Sequence, residues 1–271
     1  MWIYIVLVGG GNGYRPLSSI RILDNCTNCY YASKWIQSVL WRSLKFIMKK
    51  TNITLQKMNR DELYRFTGTP DDSIRGIIDE AEEELINLVK PSYVWKIFSI
   101  LIDEIGVNLV GTEVILKGES IKKHLQGCDR IALLAATLTS ETDKIIRKYQ
   151  ACDMTKAVIM DSIASVAIEQ VCNKAEEDIN DNVKDCYLTY RYGVGYGDFP
   201  LEQEKAILDI IESMKNIGLC VTKDNILTPL KSVVCVIGIS DTVLEKGQKG
   251  CTTCNMNKQC RYRKQGLNCG Q

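Results

Sequence analysis

Four aromatic residues, three glycines and one arginine fall within the eleven residues Tyr190-Arg191-Tyr192-Gly193-Val194-Gly195-Tyr196-Gly197-Asp198-Phe199-Pro200. Glycines at alternate positions admit positive φ and let backbone approach a ligand closely. Arg191 is a permanent cation whose planar fork suits a carboxylate. The aromatic rings can cover a flat or cationic group. Pro200 suits the first position of a helix, whose free N–H groups would point back at the loop. Two readings fit these residues: a pocket for a small zwitterionic or anionic ligand, or a tight aromatic surface turn.

Cysteine is the second source of possible chemistry, with twelve in the chain. Cys251-x2-Cys254-x5-Cys260-x8-Cys269, flanked by Lys249, Arg261 and Arg263, sets four thiols in a polar tail. Such a set can hold an iron–sulfur cluster or zinc, or stay unliganded, and its spacing is that of neither a ferredoxin nor a zinc ribbon. Cys26-x2-Cys29 could supply a metal half-site. The six lone cysteines, Cys128, Cys152, Cys172, Cys186, Cys220 and Cys235, are expected to be small buried hydrophobes. His124 is the one histidine in the chain. A multi-histidine metal centre is therefore excluded, and any Ser/His or Cys/His nucleophile would need this residue, which reads as a surface histidine. The glycines at 9–13 lack the third glycine of a dinucleotide-binding turn, where Tyr14 stands, and read as a flexible turn.

With 45% apolar and 25% charged residues in 271 and a formal net charge of +1, the chain can bury a core and has no basic excess to favour nucleic acid. The charge is uneven. Residues 1–57 carry eight basic residues against Asp24 alone, which leaves the remainder acidic by about six charges. The N-terminal apolar run Trp2–Val8 is too short to span a bilayer and has no basic n-region before it, so a cytoplasmic protein without a membrane partner is expected.

The elements that must position the loop are legible from periodicity. Ile74 to Val89 repeats at three and four residues and predicts a helix capped near Thr69 and Pro70 and stopped by Pro91. Tyr93–Ile100, Val110–Leu116, Ile131–Thr139 and Val233–Ile239 read as strands. Helices are expected over Ser120–Gln126, Asp143–Tyr149, Met154–Glu177 (long and alanine-rich) and Pro200–Lys215. The irregular alternation of the two predicts an α+β fold with a mostly antiparallel sheet flanked by helices. The organisation read from this pattern is an N-terminal appendage over 1–57, a compact domain over 58–245 and a Cys-rich tail over 246–271.

Arg191-x-x-x-Gly195-Tyr196, with Pro200 and a helix after it, resembles the S-adenosylmethionine-binding motif in the activation domain of cobalamin-dependent methionine synthase. The resemblance extends to Asp129–Leu138, to the alanine-rich helix through Asp161 and Glu169, and to Leu227–Val233. The Arg-Tyr-Gly-Val-Gly-Tyr-Gly-Asp-Phe-Pro form is nearest to free-standing versions of that domain. Gly193 and Val194 stand where the family often has Ser or Ala followed by Pro. The resemblance implies that Arg191 holds the ligand carboxylate, free until ligand arrives. It further implies that backbone near Gly193 meets the adenosyl group, Gly195 permits the turn, and Tyr196 faces a docked corrin. Glu169 is a candidate for the ligand amine. The implied role is reductive remethylation of the cobalamin of a partner methionine synthase or related corrinoid methyltransferase. Flavodoxin or a ferredoxin-type protein would supply the electron. The alternative is an iron–sulfur or zinc protein that serves as an electron-transfer or docking partner.

Overall fold

A computed structural model of the chain describes residues 48–67, 72–244 and Gln259. The N-terminal glycine turn, the Cys26/Cys29 pair, the Thr69–Pro70 cap and the four tail cysteines lie outside the described residues. Among those described, an eight-stranded sheet is built around β2 (Ser92–Ile102), β5 (Arg130–Thr137) and β10 (Ser232–Ser240). β5 lies centrally, antiparallel to both neighbours, with Val94 opposite Ala135 and Cys235 opposite Leu134. β1 (Met48–Asn52) and β3 (Val107–Leu109) share the outer edge of β2, and β4 (Ile115–Leu116) follows β3. The outer edge of β10 takes β6 (Tyr187–Leu188) and β7 (Tyr192–Gly193), while β8 (Cys220–Val221) and β9 (Leu227–Thr228) pair as a separate antiparallel ribbon. This is the expected α+β architecture with an antiparallel sheet.

The sheet is covered on both faces, which explains why its central strands are continuously apolar rather than alternating. Ala132, Leu134 and Ala136 of β5, with Cys235 and Ile237 of β10, pack on α1 (Arg60–Thr67), α2 (Asp72–Leu88), α4 (Ser140–Cys152) and α5 (Met154–Asn182). The intervening Ile131, Leu133, Ala135, Val234 and Val236 face α3 (Glu119–His124), α6 (Glu204–Ile210) and α7 (Ser213–Ile217). α5 runs for 29 residues from an Asp153 cap that accepts the Lys156 N–H. Its buried Ala157, Ala164, Ala167 and Ala175 let the helix lie close on the sheet.

Three expectations need correction. Val110–Leu116 is not one strand: Gly111, at φ +81°, and Thr112, whose hydroxyl bonds the Leu109 carbonyl at 2.8 Å, turn the chain between β3 and β4. Pro200–Lys215 is not one helix. A 3-10 turn at Leu201–Gln203 precedes α6, and left-handed Glu212 (φ +52°) separates α6 from α7. Of the six lone cysteines only Cys172 and Cys235 are buried; Cys128, Cys186 and Cys220 are half-buried and Cys152 is exposed.

Residues 48–57, read from sequence as part of an appendage, contribute β1 and the buried Leu55 to this unit. A carboxylate explains how β1 is tied down. Asp178 of α5 pairs with Lys49 and also accepts from Tyr93 Oη at 3.2 Å and Trp95 Nε1 at 3.0 Å. None of the described helices is long and apolar enough to cross a membrane.

Candidate functional site

The glycine loop leaves β6, runs along β10 as β7 and turns back at Gly195. Tyr192 lies beside Val236 and Gly193 beside Cys235. Strand alternation therefore puts Arg191 and Gly193 on the α5 face and Tyr190 and Tyr192 on the α3 face. The turn is held by its own backbone: Gly195 N–H bonds the Phe199 carbonyl at 2.9 Å and Phe199 N–H bonds that of Tyr196 at 3.0 Å. Gly195 sits at φ +88°, a conformation that calls for glycine, while a Cβ there would meet only the tip of the exposed Leu201 side chain, which can move aside. Phe199 is buried and anchors the loop, whereas Tyr196 is 67% exposed.

On the α5 face Arg191 is not free. Its Nη2 lies 2.9 Å from Glu169 Oε2, and its Nη1 lies 2.9 Å from Glu176 Oε2 and 2.8 Å from Asn173 Oδ1. Residues 169, 173 and 176 share one face of α5, so a single helix presents all three acceptors to one guanidinium. The side chain of Arg191 is 21% exposed, against 47% for Glu169 and 31% for Glu176. Burial pulls the arginine pKa down, but Cys172, Glu169 and Glu176 around it more than restore it, and the group stays charged. Cys172 and Cys235 lie in the core beneath, both with thiol pKa values raised by burial, that of Cys235 to about 12. They are neutral apolar floor here, not nucleophiles.

The same polar face of α5 continues towards its N-terminus. Lys231, just before β10, sits 2.9 Å from both Asp161 Oδ1 and Ser165 Oγ. The seam between β10 and α5 thus carries two cations at separate points, each already met by carboxylate or hydroxyl oxygen. Two shallow hollows lie beside it, one lined by residues of Asn180–Cys186 and one by Gln150, Met154, Ala157, Val158, Asp161 and Ser162; the second shares Asp161 with the seam, and neither includes a loop residue. In the seam itself the Arg191 side chain reaches across to α5.

On the opposite face His124 is half-buried rather than a surface residue. Its ring centroid is 4.5 Å from that of Tyr190 and 4.7 Å from that of Tyr192, and Nε2 is 2.9 Å from Thr189 Oγ1. Burial lowers its pKa to about 4, partly opposed by a bond to the Tyr190 backbone. The structure thus brings Arg191, Gly193, Gly195 and Tyr196 into one turn beside Glu169. Asn173, Glu176 and His124 belong to the same neighbourhood, and sequence reading did not place them there. The periodic signal for Glu176 was present: it stands seven residues after Glu169 on the same helix. Among the described residues no cluster of His, Cys, Asp and Glu could hold a metal ion.

No protein-family model matches the chain, and no curated protein sequence matches it. The fold is similar to that of a crystal structure of the MetH reactivation domain bound to AdoHcy. The TM-score is 0.55 at 14% identity, over 83% of this chain and 87% of that one. At that identity the likeness establishes the fold, an α+β architecture shared with a reactivation domain.

Proposed function

We propose that the chain binds S-adenosylmethionine in the seam between the glycine loop and α5, and thereby supports reductive remethylation of the cobalamin of a partner methionine synthase or related corrinoid methyltransferase. One observation carries this reading: a single guanidinium is shared by two carboxylates at 2.9 Å. That cluster has one negative charge in excess. S-adenosylmethionine at neutral pH carries an ammonium, a sulfonium and a carboxylate, and so has one positive charge in excess. Insertion of the zwitterionic end exchanges ion pairs without leaving a charge unmatched, which is the condition for burying ions at low cost. The fold shared with a reactivation domain bound to AdoHcy supports the same ligand class.

In this reading Arg191 takes the ligand carboxylate, and Glu169 and Glu176 take the ammonium and face the sulfonium. Backbone at Gly193 and Gly195 lies along the adenosyl group. Lys231, Asp161 and Ser165 offer donors and acceptors further along the same seam. Tyr196, the exposed ring at the turn, is where a corrin-bearing partner would close over the methyl. The corrinoid, held by that partner and reduced by flavodoxin or a ferredoxin-type protein, supplies the methyl-accepting chemistry. This chain's task is to hold and aim the methyl donor, which is catalysis by proximity and orientation and calls for no acid or base.

Calorimetric titration tests the ligand. Saturable binding of S-adenosylmethionine, one per chain and tighter than that of AdoHcy, is expected. No heat up to about 1 mM ligand would overturn the reading.

A further inference from the structure

The loop that carries Arg191 and Tyr196 is bonded at two points to α3, a six-residue helix on the far side of the sheet from α5. At the N-terminus of α3 the cap position is Gly118, which has no side chain to satisfy the first N–H groups. Asp198, almost eighty residues later, supplies the missing carboxylate: Oδ2 accepts from Glu119 N–H and Oδ1 from Ser120 N–H, both at 2.8 Å. These bonds lower the Asp198 pKa. The fit is close on both sides. Gly118, at φ +122°, would place a Cβ 2.9 Å from the Asp198 carbonyl oxygen, and a Cβ at Gly197, at φ +61°, would collide with Ser120.

At the other end of α3 His124 lies against Tyr190 and Tyr192 and meets Thr189. Thr189 Oγ1 accepts from Gly238 N–H of β10 at 2.7 Å. A neutral imidazole can accept the threonine proton at Nε2, which completes a chain from β10 through the start of the loop to α3. Both ends of the loop, at 189–192 and at 198, are therefore fixed to one short helix.

We propose that α3 is a clasp that sets the geometry of the glycine loop, with Asp198 and His124 as positioning residues through which Arg191 and Tyr196 are presented to ligand. The ligand side of this inference rests on the function proposed above; the clasp itself does not. Neither residue touches the ligand in this scheme, so each acts through the loop alone.

The clasp can be opened from the helix side without altering the loop. Glu119→Pro deletes one donor N–H at the first helical position. Proline is favoured there, and the ψ of +140° at Gly118 suits a following proline. Glu119→Ala keeps that N–H and serves as the control. Asp198→Ala opens the clasp from the loop side, and Asp198→Asn, which retains an acceptor, should restore part of the effect. In the ligand-free full chain, hydrogen exchange at Gly195 and Phe199 is expected to speed up about tenfold in Glu119→Pro and Asp198→Ala. The amides of β5 and β10 should remain the better protected, losing no more than the same factor. Affinity for S-adenosylmethionine should fall about tenfold in the same two variants and stay at wild-type level in Glu119→Ala, with melting temperature lowered by a few degrees at most where the cap bonds are lost. Wild-type protection of Gly195 and Phe199 in both variants would overturn the clasp. Faster exchange together with a wild-type chain that does not bind S-adenosylmethionine would leave the clasp standing and overturn the proposed function.

Discussion

Arg191 and Glu176 meet at 2.9 Å although they come from different faces of the seam, one from a loop on the sheet edge and the other from the second-last turn of α5. Glu169, two turns earlier, holds the second guanidinium nitrogen at the same distance. The arginine is therefore spoken for before any ligand arrives, contrary to the sequence-based expectation of a free cation. A ligand carboxylate has to compete with two resident ones, and it can do so only if the ligand also offers cations to the displaced glutamates.

Replacement of Arg191 should then change stability as well as binding. Arg191→Ala leaves two carboxylates facing each other without their cation, a loss of about 1 kcal/mol for partly exposed groups, or roughly 3 °C in Tm. Affinity for S-adenosylmethionine should fall about 10–150-fold. Arg191→Lys should recover part of each, because a point charge cannot reach both glutamates with the geometry of a fork. Melting curves and calorimetry on the three proteins check both expectations; equal affinities would remove Arg191 from the site.

Glu176→Gln separates charge recognition from shape. The amide keeps an acceptor for Arg191 but removes one negative charge from the site. S-adenosylmethionine, with its sulfonium, should lose about tenfold in affinity, and AdoHcy, which lacks that charge, about threefold. Competition titration with the two ligands measures the ratio. An unchanged ratio would show that Glu176 does not sense the sulfonium.

The sheet strands were legible because burial on both faces makes Ile131–Ala136 and Val233–Ile239 continuously apolar, a pattern that short turns cannot imitate. The break at Glu212 was not legible. Glu-Ser-Met-Lys is a good helical sequence, and only the left-handed conformation adopted there ends α6. At the site, Arg191 and the glycines stood out by composition and Glu169 only as one acid among several. What made the cluster is the pairing of β7 with β10, which brings residue 191 opposite α5 across a long loop closure. His124 was misjudged because two neighbouring lysines gave its helix a polar look. The tyrosines that bury it come from more than sixty residues away and have no periodic relation to it.

His124 should make the fold sensitive to mild acid. Its pKa is lowered on folding from the ordinary 6.5 to about 4, chiefly by burial between Tyr190 and Tyr192. A lowered pKa means that the folded state resists the proton. The contribution is complete above about pH 6.5 and is lost as pH falls towards 4, by about 3 kcal/mol over the whole window. His124→Gln, which cannot take the proton, should lack this part of the slope. Urea unfolding of both proteins at steps between pH 7 and pH 4 gives the difference directly, and parallel curves would show that the imidazole does not titrate as its surroundings demand.

Asp178 should control the edge of the sheet where β1 attaches, in a different pH range. Burial alone would raise its pKa, but bonds from Lys49, Trp95 and Tyr93 outweigh that and lower it below the usual 3.8. Here a lowered pKa on an acid means that the folded state prefers the charged form. The stabilisation is present above the ordinary carboxylate range and is lost only as pH drops below it, after the His124 window has passed. Asp178→Ala removes the acceptor for the Trp95 N–H and the Tyr93 hydroxyl, which sit in buried residues and would be left without it. A cost of about 2–3 kcal/mol is expected, and Asp178→Asn should cost less because it keeps an oxygen for those donors. Hydrogen exchange along β1 should accelerate in the alanine variant, with Lys49 no longer held to α5. The proposed binding seam draws on other residues of α5, so affinity for S-adenosylmethionine should stay at the wild-type value. A fall in affinity matching the fall in stability would show that β1 and the seam are one cooperative unit.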